Sequence, residues 1–398
     1  MTVEISKEDL NKWADTLLNY SLGGILPEDV VMIKGERVAW HLISLLQDKV
    51  FSAGAVADVN IIAPDNYRGR VWGASIAKFG TAEQIRRVPE WHRTRYEALT
   101  KYIEIMGAEI PELSANLPKK TAMELAKADL PYRQLRLSKR WVITIFPTKG
   151  YADIEGMSLD RFTEIIVKAS TTNPLKMKDM IEPVAQLMEN SKHIRIQTED
   201  LKTGKLLELR MDISNRKVVQ CLGNLNLPDG EIFTSPDANS VEGEIFLDCP
   251  VFYDGTTIEG IFLSIKNGRI IEYNAEKGFD TLTKIVETDN GSHRIGEVAL
   301  GMNSDLQPPL KQPLLLEKIG GTLHIAIGYS YKECYVENPY SNEGKSKLKE
   351  LFEDKGICNL SSQHVDVVTD FRPGGAGKAV YLDDTKLEIQ NDVWGLPD

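Results

Sequence analysis

Two histidines stand beside carboxylates in strand-like settings. In QHVDVV, His364 and Asp366 are two apart on an extended run, so both side chains leave the same face. In LLLEKIGGTLHIAIG, Glu317 precedes Gly320-Gly321, a glycine pair that lets the chain fold back and bring Glu317 near His324. Glu231, in PDGEIFTSP, and Glu297, in HRIGEVALG, add two further carboxylates. Imidazole mixed with carboxylate is a ligand set that zinc, cobalt and manganese all tolerate. Each pair taken alone is also an ordinary surface pair or a solvated acid. Spacing by itself therefore supports a mixed oxygen and nitrogen metal site, with no reaction attached.

Other chemistries lose their usual support. The stretch RPGGAGKA (372–379) has Arg372 where a phosphate loop needs its first glycine, and Ala379 where it needs Ser or Thr, so it reads as a turn between strands. No G-x-S-x-G elbow, H-E-x-x-H helix or G-x-G-x-x-G fingerprint occurs. The cysteines Cys221, Cys249, Cys334 and Cys358 form no C-x-x-C pair and are expected to be free thiols, mostly buried. Net charge is −11 with the basic residues scattered, which disfavours a nucleic-acid partner. No apolar run is long enough to span a membrane. The N-terminus MTVEISKEDL enters polar, helix-like sequence without a signal-peptide pattern, so the expectation is a cytoplasmic protein.

The elements that must position these residues fall into two textures. A chain of 398 residues exceeds one ordinary core, and two domains are expected. In the first half, residues 6–20 carry Leu10, Trp13, Leu17 and Tyr20 at helical spacing, with Ser6 as cap. Val30–Ile33 and Trp141–Phe146 read as buried strands, and Ser158 caps a helix bearing Phe162, Ile165 and Ile166. Strands alternating with helices imply parallel βαβ units. After about residue 190, alternating strands dominate, among them the hairpin GIFLSIK–Asn267-Gly268–RIIEYN, whose Asn-Gly favours a type I′ turn. The expectation is an α/β N-terminal domain with a mainly parallel sheet over 1–190. It is followed by an α+β domain over 191–398, rich in antiparallel strands and carrying the metal site.

The segments GEIFT, IGEVALG, EKIGGTLHIAIGYSY and HVD, in this order, resemble the thermophilic-type metalloaminopeptidase family, the leucyl aminopeptidases first described from thermophilic bacteria. LLNYSL (17–22), WVITIFPT (141–148), GMSLDRF (156–162) and LNLPDGEIFT (225–234) extend the resemblance over most of the chain. It implies two divalent metal ions, zinc, cobalt or manganese, bound by Glu231, Glu297, His324, His364 and Asp366. It implies Glu317 as a further ligand or general base, and Tyr331, seven residues past His324, as a hydrogen-bond donor to the tetrahedral intermediate. The implied activity is removal of N-terminal residues from short peptides, by a homodimer that encloses its active sites. Ligand supply agrees with two ions, since four carboxylates and two imidazoles exceed what one tetrahedral zinc takes.

The match has departures. Val365 stands between His364 and Asp366 where family members often carry tryptophan, the stretch between Tyr331 and His364 is long, and YRGRVWGASIAKFG (67–80) has no familiar counterpart. Two other functions stay open. One is an Fe(II) ring-opening dioxygenase of the dihydroxypyridine type, from the same superfamily, using His324, His364 and Asp366 as a facial triad. The other is a metal-binding protein without catalysis.

Overall fold

The computed structural model describes residues 4–62, 79–88, 90–109, 119–253, 255–307, 310–339, 341–372 and 377–397. Residues 67–78 of the unfamiliar tract, and 373–376 of the glycine-rich turn, lie outside the described residues. The chain divides into two compact units, Met1–Thr172 with Gly223–Pro228, and Asn173–Leu222 with Asp229–Asp398.

The first unit is built on parallel strands β1 (Val30–Glu36), β2 (Val56–Ile62), β3 (Lys101–Met106) and β4 (Arg140–Ile145). With a short later strand at Asn226–Leu227 they run in the order β2-β1-β3-β4 and then that segment, every pair parallel. Apolar residues at helical spacing supply its core: Trp13, Leu17, Leu42, Ile43, Leu46 and Phe162 are buried. Ser6 caps the first helix by accepting from the Asp9 amide, and Ser158 does the same for Arg161. The expected α/β architecture is present.

The second unit opens with the helix Pro174–Asn190, which the expected boundary at 190 assigns to the first domain. It packs on this unit's strands instead: Gln220 donates to Glu182 at 3.1 Å, and the Val218 amide donates to Glu189. Its strands β5 (His193–Glu199), β6 (Leu206–Asp212), β7 (Val219–Cys221) and β9 (Glu231–Thr234) follow, the first unit's Asn226–Leu227 segment being β8 in chain order. Next come β10 (Glu242–Leu247), β11 (Val251–Tyr253), β12 (Thr256–Lys266) and β13 (Arg269–Lys277). Asn267 at φ 50° and Gly268 at φ 71° make the predicted two-residue turn between β12 and β13. β14 (Ile295–Gly301), β15 (Thr322–Gly328) and β16 (His364–Asp370) complete the smaller of two antiparallel sheets, and β17 (Ala379–Leu382) joins the larger. The larger contains β11-β12-β10-β6-β5-β17, and the smaller runs β16-β15-β14-β9-β7. The smaller sheet carries Glu231, Glu297, His324, His364 and Asp366.

Candidate metal centre

Strands β14 and β15 are buried along their whole length, so one face must be apolar and the other must be sealed in another way. Register decides which residues share a face, because partners across a ladder point the same way. Ala326 of β15 lies opposite Glu297 of β14 and Asp366 of β16. His324 lies opposite Ala299 and Val368, Gly328 opposite His364, and Gly301 opposite Glu231. One face thus presents Glu231, Glu297, His324, His364 and Asp366, separated by Ala and Gly. The other face presents Val298, Leu300, Leu323, Ile325 and Val367, all buried. Small residues between the polar ones leave room above the sheet.

The geometry is close. Nε2 of His324 lies 3.2 Å from Glu297 Oε1, 3.7 Å from Glu231 Oε2 and 3.9 Å from Asp366 Oδ1. Nε2 of His364 lies 3.2 Å from Glu297 Oε2 and 3.3 Å from Asp366 Oδ1. Nδ1 of His364 donates to the Tyr329 carbonyl at 2.8 Å, which leaves Nε2 aimed into the site. Tyr331 lays its ring against His364 at 4.8 Å between centroids and against Phe233 at 5.0 Å. Glu317 ends the short helix Pro313–Leu316, and the Gly320-Gly321 fold-back brings it to the same group. All seven residues singled out from sequence therefore converge.

Sequence reasoning missed three neighbours. Lys318 is fully buried, with its ammonium 2.6 Å from Glu231 Oε1, 2.8 Å from Glu317 Oε1 and 3.4 Å from Asp229 Oδ1. Asp229 and Cys221 join Glu231 in a second ligand-type group. The signal that could have found Asp229 is its two-residue offset from Glu231, the same spacing as His364 and Asp366. Gly230, between the two acids, has φ +131°, and a Cβ there would sit 2.8 Å from Asn303 Cβ and 2.9 Å from Met177 Sδ. Only glycine lets the segment pass so close.

The charges pull on one another. Burial pushes the Glu231 carboxyl up, more than Lys318 and His324 draw it down. Burial would also lift Glu297 and Asp366, but His324 and His364 outweigh it and hold both below the carboxylate range. Burial works against a charged His324, yet the hydrogen bond to Glu297 and the charges of Asp366 and Glu231 push it up to about 9. Burial, with Asp366 and Glu231 adding, takes Glu317 up to about 8. Burial and the nearby carboxylates keep the Tyr331 phenol protonated.

These residues suit a divalent cation. Among the described residues, Glu231 Oε2 and His324 Nδ1 are buried without a hydrogen-bond partner, and Glu297 Oε2 and Asp366 Oδ1 share the Nε2 of His364 at 3.2 and 3.3 Å, a costly arrangement unless something else satisfies the carboxylates. Ligand atoms of Glu297, His364 and Asp366 lie within 4.8 Å of one another. Oxygen and imidazole nitrogen together match zinc, cobalt or manganese.

A profile of the family described as thermophilic metalloprotease (M29) matches residues 6–374. Aminopeptidase AmpS of Bacillus subtilis is 28% identical over 329 residues, which is 71% of this chain and 75% of that protein. Aminopeptidase 2 of Geobacillus stearothermophilus is 33% identical over 152 residues, and aminopeptidase T of Thermus thermophilus 37% over 149. Those two alignments take in 36% of this chain and only 33% and 34% of the relatives. Among solved structures, wild-type AmpT from Thermus thermophilus aligns with a TM-score of 0.77 at 22% identity, covering 98% of this chain and 100% of that one. The 2,5-dihydroxypyridine dioxygenase from Pseudomonas putida KT2440 gives 0.54 at 12% identity, covering 98% of each chain. Both likenesses concern the fold, whereas the profile spans every residue of the site. The chain belongs to the thermophilic metalloprotease family, M29.

Proposed function

We propose that this protein is a metal-dependent aminopeptidase that removes N-terminal residues from short peptides. Glu231, Glu297, His324, His364 and Asp366 are its metal ligands, and zinc, cobalt or manganese serves. The observation behind this reading is the single sheet face on which imidazole nitrogens stand 3.2–3.9 Å from buried carboxylates. A divalent ion at these ligands would supply Lewis-acid polarisation of the scissile carbonyl and a water acidic enough to ionise near neutral pH.

The chain's own groups do the rest. Glu317 takes the water's proton and returns it to the leaving amine, from a buried position held by the Lys318 ammonium at 2.8 Å. Tyr331 keeps its phenolic proton and donates it in a hydrogen bond to the oxyanion. The Tyr329 carbonyl fixes the ring of His364. Free thiols at Cys221, Cys249, Cys334 and Cys358 suit the reducing cytoplasm, and the working form is a homodimer, measurable by light scattering.

The dioxygenase reading needs one ferrous ion on His324, His364 and Asp366. The buried Glu231 and Glu297 beside them favour hydrolysis, because a facial triad has no use for two more carboxylates. The test is to strip the protein with a chelator, reload it with zinc, cobalt or manganese, and present aminoacyl anilides and dipeptides. Hydrolysis is expected with a free α-amino group and is expected to disappear on N-acetylation. No release with any metal, or equal turnover of the acetylated substrates, sinks the reading.

A further inference from the structure

Lys318 stands where a cation would. Its side chain is 1% exposed, and its ammonium is shared among Glu231, Glu317 and Asp229. Lysine is almost never fully buried unless paired. Its backbone is held on both sides: the Lys318 amide donates to Leu315 at 3.2 Å, and its carbonyl accepts from the Asn303 amide at 2.9 Å. The Asn303 side chain in turn donates to the Asp229 carbonyl at 2.5 Å. Asn303 thus ties the segment carrying Lys318 to the segment carrying Asp229 and Glu231.

The ligand-type atoms form two sets, Glu297 with His364 and Asp366, and Cys221 with Asp229 and Glu231. His324 faces the first set at 3.2 Å from Glu297. The ammonium of Lys318 sits on the second, 2.6 Å from Glu231. A divalent ion bonds carboxylate oxygen at about 2.0–2.2 Å. An ion using both Glu231 Oε1 and Glu317 Oε1 would have to stand where Nζ stands. The other oxygen of Glu231, Oε2, turns toward His324 at 3.7 Å and accepts no hydrogen bond. Glu231 therefore bridges, with one oxygen on an ammonium and one facing the imidazole set.

We propose that this centre holds one divalent ion, among Glu231 Oε2, Glu297, His324, His364 and Asp366, and that the ammonium of Lys318 takes the place of a second. This rests on the aminopeptidase reading and departs from the two ions that the family resemblance implies. The lysine brings positive charge and N–H donors that orient Glu231 and Glu317, but no open coordination position.

The test counts metal on the full chain. The protein is stripped with a chelator and titrated with zinc, cobalt and manganese in turn, with bound ion read by calorimetry and by elemental analysis after desalting. The wild type is expected to saturate at about one ion per chain. Lys318→Ala, which removes the ammonium from beside Glu231, Glu317 and Asp229, is expected to rise to about two, and Lys318→Arg to stay at about one. A wild type that takes up about two ions of similar affinity overturns the proposal, as does a folded Lys318→Ala that still takes one. Should Lys318→Ala fail to fold, the wild-type count decides. Two ions with aminoacyl hydrolysis would end this proposal and leave the function standing. One ion without hydrolysis would end the function and leave this proposal standing.

Discussion

Removing the divalent ion should make the metal-bearing unit lose stability as pH rises from 6.5 to 9. His324 titrates across the whole of this window. Its ordinary pKa is 6.5, and hydrogen bonding to Glu297 with the charges of Asp366 and Glu231 pushes it up to about 9. A group raised in the folded state gives stability that is complete below its unfolded pKa and is lost as pH climbs through the folded value. The difference, 9 − 6.5, is about 2.5 units, worth on the order of 3 kcal/mol. The ring is 1% exposed, so solvent screening takes little of it. His364, also raised, acts in the same direction. Glu317, raised from 4.5 to about 8, loses its contribution across the lower part of the window. Glu297 and Asp366 are held low, so their contribution is lost only in acid and stays flat here. About 3 kcal/mol moves the midpoint of a unit this size by roughly 6–12 °C. The ion-loaded protein should behave oppositely, because binding displaces protons from the imidazoles and affinity grows about tenfold per pH unit for each proton released. Thermal melts of chelated and zinc-loaded protein across this range check both slopes. A chelated midpoint that holds or rises from pH 6.5 to 9 refutes the reasoning, as does a His324→Gln variant that falls just as steeply.

Three substitutions test separate parts of the site. His364→Ala removes a proposed ligand from an edge strand where the side chain is 18% exposed, so circular dichroism should be unchanged while aminoacyl turnover falls at least about a hundredfold. Wild-type turnover in that variant would remove His364 from the ligand set. Tyr331→Phe keeps the ring contacts with His364 and Phe233 but deletes the donor, and kcat should drop about 10²–10³-fold with KM nearly constant. A drop confined to KM would mean the phenol binds substrate without stabilising the oxyanion. Gly230→Ala should cost about 2–4 kcal/mol in urea unfolding, since its Cβ meets Asn303 at 2.8 Å in a backbone at φ +131°. A loss under about 0.5 kcal/mol would show that the segment can relax.

Some of the site was legible because it is local. His364 and Asp366 share a face on any extended strand, and a glycine pair after Glu317 announces a fold-back. The pairing of Glu297 with His324 was not legible. It depends on a bulge in which Ile295 pairs with Ile327 while Glu297 pairs with Ala326, so Gly296 is the extra residue. Without that bulge Ile295 and Glu297, two apart, would share a face, so sequence alternation alone cannot say on which side Glu297 stands. Lys318 was invisible for a different reason. Lysine in a sequence defaults to solvent, and nothing around EKIGG says that Asp229 and Glu231, almost ninety residues earlier, will close over it. The helix Pro174–Asn190 buries Met177, Ile181 and Val184, but apolar spacing in a sequence names a face and not the sheet that covers it, so the boundary at 190 falls on its wrong side.

Burying Asp229, Glu231, Glu297, Glu317 and Asp366 in one place is a large electrostatic liability, and the sheet offers no escape from it. Ala299, Gly301, Ala326 and Gly328 are too small to separate the acids, and the apolar face beneath cannot accept them. Positive charge has to come from somewhere. Lys318 supplies part of it in the polypeptide itself, and the two imidazoles can supply more by holding protons. A chelated chain should therefore stay folded near neutral pH, in contrast to small zinc domains whose binding energy is their folding energy. What the ion adds is the compensation that the imidazoles give up when they turn from proton carriers into neutral ligands. Lys318→Met removes the portion that travels with the chain, so folding of that variant should become dependent on the ion. A Lys318→Met protein that melts at the wild-type temperature in chelator would mean that the buried acids are neutralised by protons alone.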